Sequence, residues 1–314
     1  MVKYHPFRFG VTISGIRSRE ECIVKAQRVE ALGYSTLMLP DHLAAPPLYP
    51  SVALLLAAEA THSLRVGTCV INNDFRHPAE LAKEMATLDL LSNGRLELGI
   101  GAGWRRVSYD KTGIAFDSPE VRISRLAESI HILKGLFSDN PVTFSGTHYH
   151  ITDLNMLPKP VQRPHPPILI GGGGKKILSL AAQEADIICL NPITRSERNV
   201  VDMQDATSEN TAQKIAWIRN AAGERFDALE LGCLVFEIAI VADQQQPTTL
   251  KATGSSTLIV GDQPLQGIYA LAGTEEQICR QILRNREQFG ISYLLIFEKD
   301  MEAFAPVVAK LTGE

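Results

Sequence analysis

Four short stretches of the 314-residue sequence carry side chains able to do chemistry. Asp41-His42 follows an apolar run at residues 36–39, and histidine is the side chain best suited to move a proton near neutral pH. The plainer reading of that pair has Asp41 capping the loop and His42 only packing. Asn72-Asn73 follows a second apolar run at 65–71; asparagine amides there can hydrogen-bond a planar heterocycle or simply make a turn. Gly99-Ile100-Gly101-Ala102-Gly103-Trp104 combines small residues, which let a ligand approach the backbone, with an indole that can stack on a ring or plug a barrel mouth. It is not the dinucleotide fingerprint GxGxxG, because position 104 is Trp. Gly171-Gly172-Gly173-Gly174 runs through Lys175-Lys176 into a helical pattern. Its backbone N–H groups and the helix dipole make it the best anion site in the chain, with a flexible turn as the alternative. Arg76-His77-Pro78 reads as the structural opening of a helix.

Alternating strand and helix patterns position these stretches. Strands are expected at residues 7–13, 36–39, 65–71, 96–100, 168–170, 187–190, 229–241 and 293–297. Helices are expected at 18–32 (Ser18 as N-cap, Gly33 past the end), 50–62, 78–91, 120–137, 176–184, 212–222, 275–289 and 302–311. The proline-rich segment 138–167 is irregular, with a small hairpin expected at 142–149 around Gly146. Segment 243–267 reads as a long loop or lid. Eight βα units fit either a closed barrel or an open doubly wound sheet. The expectation is a single (β/α)8 TIM-barrel domain over residues 1–314, with irregular insertions after strands four and seven. Its chemistry would then sit on the loops after each strand, and the glycine loop after strand five would be a variant of the usual phosphate site after strands seven and eight.

Composition narrows the function classes. The chain is 45% hydrophobic and 21% charged, with a formal net charge of −4 and no Lys/Arg block longer than two. It lacks the basic footprint of a nucleic-acid binder. No apolar run is long enough to span a bilayer, and residues 1–10 show no signal-peptide pattern. The five cysteines are widely spaced with no CxxC pair, so neither a metal site nor a disulfide framework is expected, and a cytoplasmic location fits.

The motifs taken together resemble the bacterial luciferase-like superfamily of barrel oxidoreductases along nearly the whole chain. The resemblance is carried by Leu37-Met38-Leu39-Pro40-Asp41-His42, by Phe75-Arg76-His77-Pro78-Ala79 with Ala82-Lys83-Glu84 and Thr87-Leu88-Asp89, and by Ser92-Asn93-Gly94-Arg95-Leu96 running on to Trp104. It continues in Leu157-Pro158-Lys159-Pro160-Val161-Gln162, Pro164-His165-Pro166-Pro167 and the four glycines. It is nearer the branch assigned to the deazaflavin coenzyme F420 than to FMN. The resemblance implies hydride transfer between F420 and a small organic substrate. His42 would lie near the reactive ring face, with Asp41 beside it as a coenzyme-binding residue. Cys69–Val70 would form a non-proline cis peptide against the ring. Asn72, Ala102, Gly103 and Trp104 would line the pocket, and Gly172, Gly173 and Gly174 would hold the phosphate. It also implies a homodimer. An FMN-dependent monooxygenase and a non-catalytic barrel acting as a binding subunit are the alternatives. Two departures stand out: Ser108, not an acid, precedes Tyr109, and Trp104 stands where sugar-phosphate dehydrogenases of the superfamily keep a glutamate, which argues against that reaction. The substrate is not specified; segments 138–167, 191–209 and 243–267 are where its recognition is expected.

Overall fold

In the computed structural model, which describes residues 4–44, 48–195, 200–241, 258–259 and 267–314, β1 (Arg8–Thr12), α1 (Arg19–Ala31), β2 (Thr36–Leu39) and α2 (Pro50–Glu59) come first. β3 (Arg65–Thr68) and β4 (Ile71–Asn72) follow, then α3 (Pro78–Leu91), β5 (Leu96–Gly101), α4 (Arg106–Thr112) and α5 (Pro119–Phe137). A hairpin of β6 (Val142–Ser145) and β7 (His150–Leu154) precedes β8 (Ile168–Gly172), α6 (Lys175–Glu184) and β9 (Ile187–Leu190). Next come β10 (Thr194–Arg195), β11 (Val200–Asp202), α7 (Ser208–Ala222), β12 (Glu230–Leu234), β13 (Glu237–Ile240) and β14 (Leu258–Ile259). β15 (Ala270–Gly273), α8 (Glu275–Phe289), β16 (Ile291–Phe297) and α9 (Met301–Leu311) complete the chain.

The principal sheet runs β3-β2-β1-β16-β12-β9-β8-β5-β4, and β3 also pairs with β5. With β3 and β4 as two pieces of one strand, this order is that of a closed, eight-stranded parallel (β/α)8 barrel. The chain divides into two compact units. One comprises Met1–Thr12, Val29–Thr36 and Gly171–Glu314; the other comprises Ile13–Arg28 and Leu37–Ile170. In the first, β16 pairs in parallel with β1 and β12, and β12 with β9. In the second, β5 pairs in parallel with β3, β4 and β8. Every residue of β2, β5 and β9 is buried, so β2 and β9 read as nearly unbroken apolar runs, while the one charge in β5, Glu97, is held by Arg65 at 2.7 Å.

Local sequence explains the boundaries. Pro50, Pro78 and Pro119 open α2, α3 and α5, where the missing N–H costs nothing. Thr274 and Gln277 form a reciprocal capping box at α8, which ends on Gly290 in the left-handed region. Ser18 Oγ accepts from the Glu21 amide at 3.1 Å, confirming it as the cap of α1. Gly99 admits no other residue: a Cβ would lie 1.8 Å from the Thr68 carbonyl oxygen. Buried Asp89 accepts from the amides of Val161 and Gln162 at 2.7 and 3.0 Å and from Gln162 Nε2 at 2.7 Å, tying the proline-rich segment to α3.

Several boundaries differ from expectation. The strand expected at 65–71 is interrupted at Cys69–Val70, whose peptide bond is cis. The strand expected at 229–241 is two strands. After Leu234 the Val235 amide still bonds the Leu295 carbonyl, but the Phe236 amide turns to Tyr269, and β13 pairs with β15 instead of the barrel. Neither α4 nor β15 was expected, and the hairpin's second strand reaches Leu154 rather than stopping at 149. Of the expected loop at 243–267, only Leu258–Ile259, paired with β11, and Gly267 fall among the described residues. Among the described residues no helix is long and apolar enough to cross a membrane.

Candidate active site

In the second unit the C-terminal ends of β2, β4 and β5 carry the residues singled out from the sequence. Asp41 follows β2 and is buried. Arg76 donates to both its oxygens, Nη1 to Oδ2 at 2.6 Å and Nη2 to Oδ1 at 3.3 Å. The Asn72 amide donates to the same Oδ2 at 3.1 Å. Arg76 also gives its Nε–H to the Tyr49 hydroxyl at 2.8 Å. Asp41 is therefore saturated by a bidentate ion pair and a backbone N–H, an arrangement that fixes geometry and leaves the carboxylate little capacity to shuttle protons.

Asn72 links this pair to the glycine turn after β5. Its Oδ1 faces the Tyr109 hydroxyl at 3.0 Å and accepts from the Asp74 amide at 3.2 Å. The Tyr109 hydroxyl lies equally close, 3.0 Å, to Asp74 Oδ2, so its single proton serves one acceptor at a time. Asp74 accepts on its other oxygen from Arg125 at 2.8 Å, and Arg125 also binds Asp117. Burial, with the Asp74 charge added, pushes the Tyr109 phenol well above its ordinary range, so it stays protonated. Gly103 has φ +75°, and a Cβ there would sit 2.0 Å from Tyr109 Oη and 2.6 Å from Asn72 Oδ1. Arg122 closes the turn by donating to the carbonyls of Ala102 and Gly103 while its guanidinium lies 4.2 Å from the Phe116 ring centre.

His42 and Trp104 meet edge to face, with ring centres 6.4 Å apart. Burial, then the nearby Arg105 charge, lowers the His42 pKa below its ordinary value, against a smaller opposing effect of Asp41. The imidazole is thus neutral at neutral pH. The Cys69 amide bonds the Leu39 carbonyl at 2.9 Å, and Val70 fills the space that a side chain at Gly101 would need, its Cγ2 lying 2.8 Å from such a Cβ. His77 caps α3, accepting from the Ala79 amide at 3.2 Å, in keeping with its structural reading.

The glycine loop belongs to the first unit. Gly172 has no room for a side chain against Ile177, and Gly173 none against the Asn191 carbonyl, 2.4 Å from an added Cβ. The Asn191 amide bonds the Gly172 carbonyl at 2.9 Å, and the Asn191 carbonyl accepts from buried Lys214 at 3.0 Å. Gly174 is the N-cap of α6; no side chain caps that helix, and a Cβ at Gly174 would meet nothing within 4 Å. The first turn of α6 is therefore left without a side-chain cap, and uncapped first-turn N–H groups are suited to an anion.

The structure thus brings Asp41, Asn72 and Gly103 into one hydrogen-bonded cluster and His42 against Trp104. Sequence reasoning missed the residues that bind them: Arg76 as Asp41's partner, Asp74, Tyr109, Arg122, Arg125, Arg105 and, in the glycine loop, Lys214. Only Tyr109 left a local trace, as the tyrosine following the glycine–tryptophan motif.

A parallel barrel bearing a polar cluster at its strand ends is the architecture of many barrel enzymes. The chain belongs to the luciferase-like monooxygenase family, whose model matches residues 4–246. Among curated relatives, an F420-dependent glucose-6-phosphate dehydrogenase from Amycolatopsis mediterranei is 31% identical over 174 residues, 52% of this chain and 51% of that protein. An FMNH(2)-dependent dimethylsulfone monooxygenase from Pseudomonas putida is 32% identical over 127 residues, 40% of this chain and 35% of that protein. The chain thus spans about half the length, or less, of these curated relatives. Among solved structures, the coenzyme F420-dependent tetrahydromethanopterin reductase from Methanopyrus kandleri has a TM-score of 0.75 at 16% identity, covering 98% of this chain and 99% of that one. Long-chain alkane monooxygenase has a TM-score of 0.77 at 14% identity, covering 98% and 92%. These two likenesses establish the fold. The relatives include both F420-dependent dehydrogenases and FMN-dependent monooxygenases, which supports an oxidoreductase.

Proposed function

We propose that the chain transfers hydride between coenzyme F420 and a small organic substrate, with His42 moving the accompanying proton. The observation that carries this reading is the neutral, half-buried imidazole of His42 against Trp104. A neutral imidazole accepts a proton from a hydroxyl as hydride leaves the adjacent carbon, and the imidazolium returns it in the reverse direction. When bound, the deazaflavin supplies the hydride donor or acceptor.

The residues present fit such a coenzyme. In the first unit, taken by itself, the uncapped N-terminus of α6 with Gly172, Gly173 and Gly174 before it has the chemistry to hold a phosphate. Cys69, Val70, Asn72, Ala102, Gly103 and Trp104 would hold the ring. In this reading Asp41 positions rather than reacts, fixing the Asn72 backbone while Arg76 neutralises it. The F420-dependent dehydrogenase among the relatives supports the deazaflavin. The FMNH(2)-dependent relative supports a second reading, a monooxygenase that uses reduced FMN and oxygen.

Titration with each coenzyme, with oxygen uptake recorded, separates the readings. Tight F420 binding without oxygen consumption is expected. FMN-dependent oxygen uptake would replace it with the monooxygenase, and binding of neither coenzyme would leave a barrel that only binds a partner. His42→Ala should lower turnover by about 10²- to 10⁴-fold with coenzyme affinity retained; unchanged turnover removes His42 from the reaction.

A further inference from the structure

The arginines around the strand ends of the second unit are committed, with one exception. Arg76 is spent on Asp41, Arg125 on Asp74 and Asp117, and Arg122 on the carbonyls of Ala102 and Gly103. Exposed Arg106 pairs with Asp110 at 3.4 Å. Arg105, which directly follows Trp104 and stands at the N-cap of α4, has no carboxylate partner among the described residues. Its Nε is shielded from water and makes no hydrogen bond. A buried donor on a charged group is costly to leave unmade, so an orphan of this kind in a native fold calls for an explanation.

We infer that Arg105 is a binding residue for an oxyanion on the substrate, a carboxylate or phosphate group held beside Trp104 and His42, so that the substrate class is a small organic anion. The inference rests on the reading of His42 as the residue that exchanges the substrate's proton, beside the coenzyme ring that Trp104 would hold. The guanidinium fork matches such a group with two parallel hydrogen bonds, which a lysine or a neutral amide cannot reproduce. Asp41, the nearest acid in sequence to His42, does not compete, because both its oxygens are taken by Arg76. Arg105 also acts on His42: its charge helps keep the imidazole unprotonated. An anion on Arg105 would cancel that effect and raise the affinity of His42 for a proton, coupling occupancy of the site to readiness for proton transfer.

The chain has two tryptophans, so Trp217→Phe leaves Trp104 as the sole indole reporter beside Arg105. In that background, benzoate and phenylphosphonate are titrated against Trp104 fluorescence, with benzamide as the uncharged counterpart. Saturable quenching by the two anions and none by benzamide is expected. Arg105→Gln should weaken anion binding by about 10- to 100-fold, Arg105→Lys should recover part of the loss, and Arg106→Gln should change nothing. The circular dichroism of each variant shows that it is folded. Absence of saturation, or equal affinity in Arg105→Gln, would overturn the inference. F420 and FMN titrations on the same proteins complete the test. Coenzyme affinity unchanged in Arg105→Gln assigns the anion to the substrate. Affinity falling in step, with benzoate competing against coenzyme, assigns it to the coenzyme and overturns the substrate class. Arg105-dependent benzoate binding by a chain that takes up neither coenzyme would refute the proposed function while leaving the anion site standing.

Discussion

Breaking the Asp41–Arg76 pair one partner at a time should cost far more than removing both. Their side chains are 2% and 4% exposed, with Nη1 and Oδ2 2.6 Å apart. Removing one member of a buried pair strands the other charge, at about 3–5 kcal/mol. Arg76 keeps the Tyr49 hydroxyl at 2.8 Å and Glu84 at 3.5 Å, so Asp41→Asn belongs at the low end, ~3 kcal/mol. Arg76→Met leaves Asp41 with only the Asn72 amide and should cost at least as much. In the double variant both charges leave together, and the site exchanges an ion pair for packing of similar volume, costing ~1–2 kcal/mol. The cycle thus gives an interaction term of about 4 kcal/mol, well outside the ~0.5 kcal/mol scatter of independent sites. Urea unfolding followed by far-UV circular dichroism on the four proteins measures it. Additive losses, or a single-variant loss below ~1 kcal/mol, would mean that the pair is solvated and does not fix the β4 end.

Gly103→Ala should destabilise the fold by about 2–4 kcal/mol, combining a left-handed backbone at φ +75° with a Cβ 2.0 Å from Tyr109 Oη; a loss under ~0.5 kcal/mol in the same assay would show that the turn can relax. Because the folded-state pKa of His42 is lowered, the unfolded chain binds more protons as pH falls through about 6.5, so stability drops on acidification through this group. His42→Gln should therefore lose less stability than the parent between roughly pH 7.5 and 5.5, and identical urea midpoint shifts would refute the assignment. The homodimer that the family resemblance implies is tested by sedimentation: the parent should run as a dimer, and a monomeric parent discards that implication.

The elements were legible where periodicity or punctuation is local. The strand at Thr36–Leu39 and the helices Pro78–Leu91 and Glu275–Phe289 fall where apolar runs, prolines and caps place them. Breaks set by distant partners were not legible. Nothing between Leu229 and Val241 announces that the Phe236 amide will turn to Tyr269. The same holds for the candidate site. His42, Asn72, the Gly103 turn and the glycine loop stand at strand ends and could be named from position alone. Their partners lie 35 residues away for Asp41 and Arg76, 37 for Asn72 and Tyr109, and 51 for Asp74 and Arg125. Arginine and aspartate at such separations carry no periodic signal, and only the fold selects which of them meet.

Those pairings decide the chemistry more than the motifs do. Asp41 and His42 look like an acid–base couple on the page, yet Arg76 occupies both Asp41 oxygens, and the Asp41 charge acts on His42 less strongly than burial and Arg105 do. A carboxylate free to face His42 would raise its pKa and hold it as an imidazolium, poised to donate; the arrangement found holds it neutral, poised to accept. Tyr109 is kept protonated by burial and Asp74, and Asp74 is itself taken by Arg125, so neither is placed to relieve His42 of that role. Within this cluster the imidazole beside Trp104 is therefore the group to which the proposed function assigns the proton. The cation that tunes it, Arg105, is the one whose own hydrogen bonding is incomplete among the described residues. In the proposed reaction the same arginine would set both the protonation state of His42 and the charge of the molecule it serves.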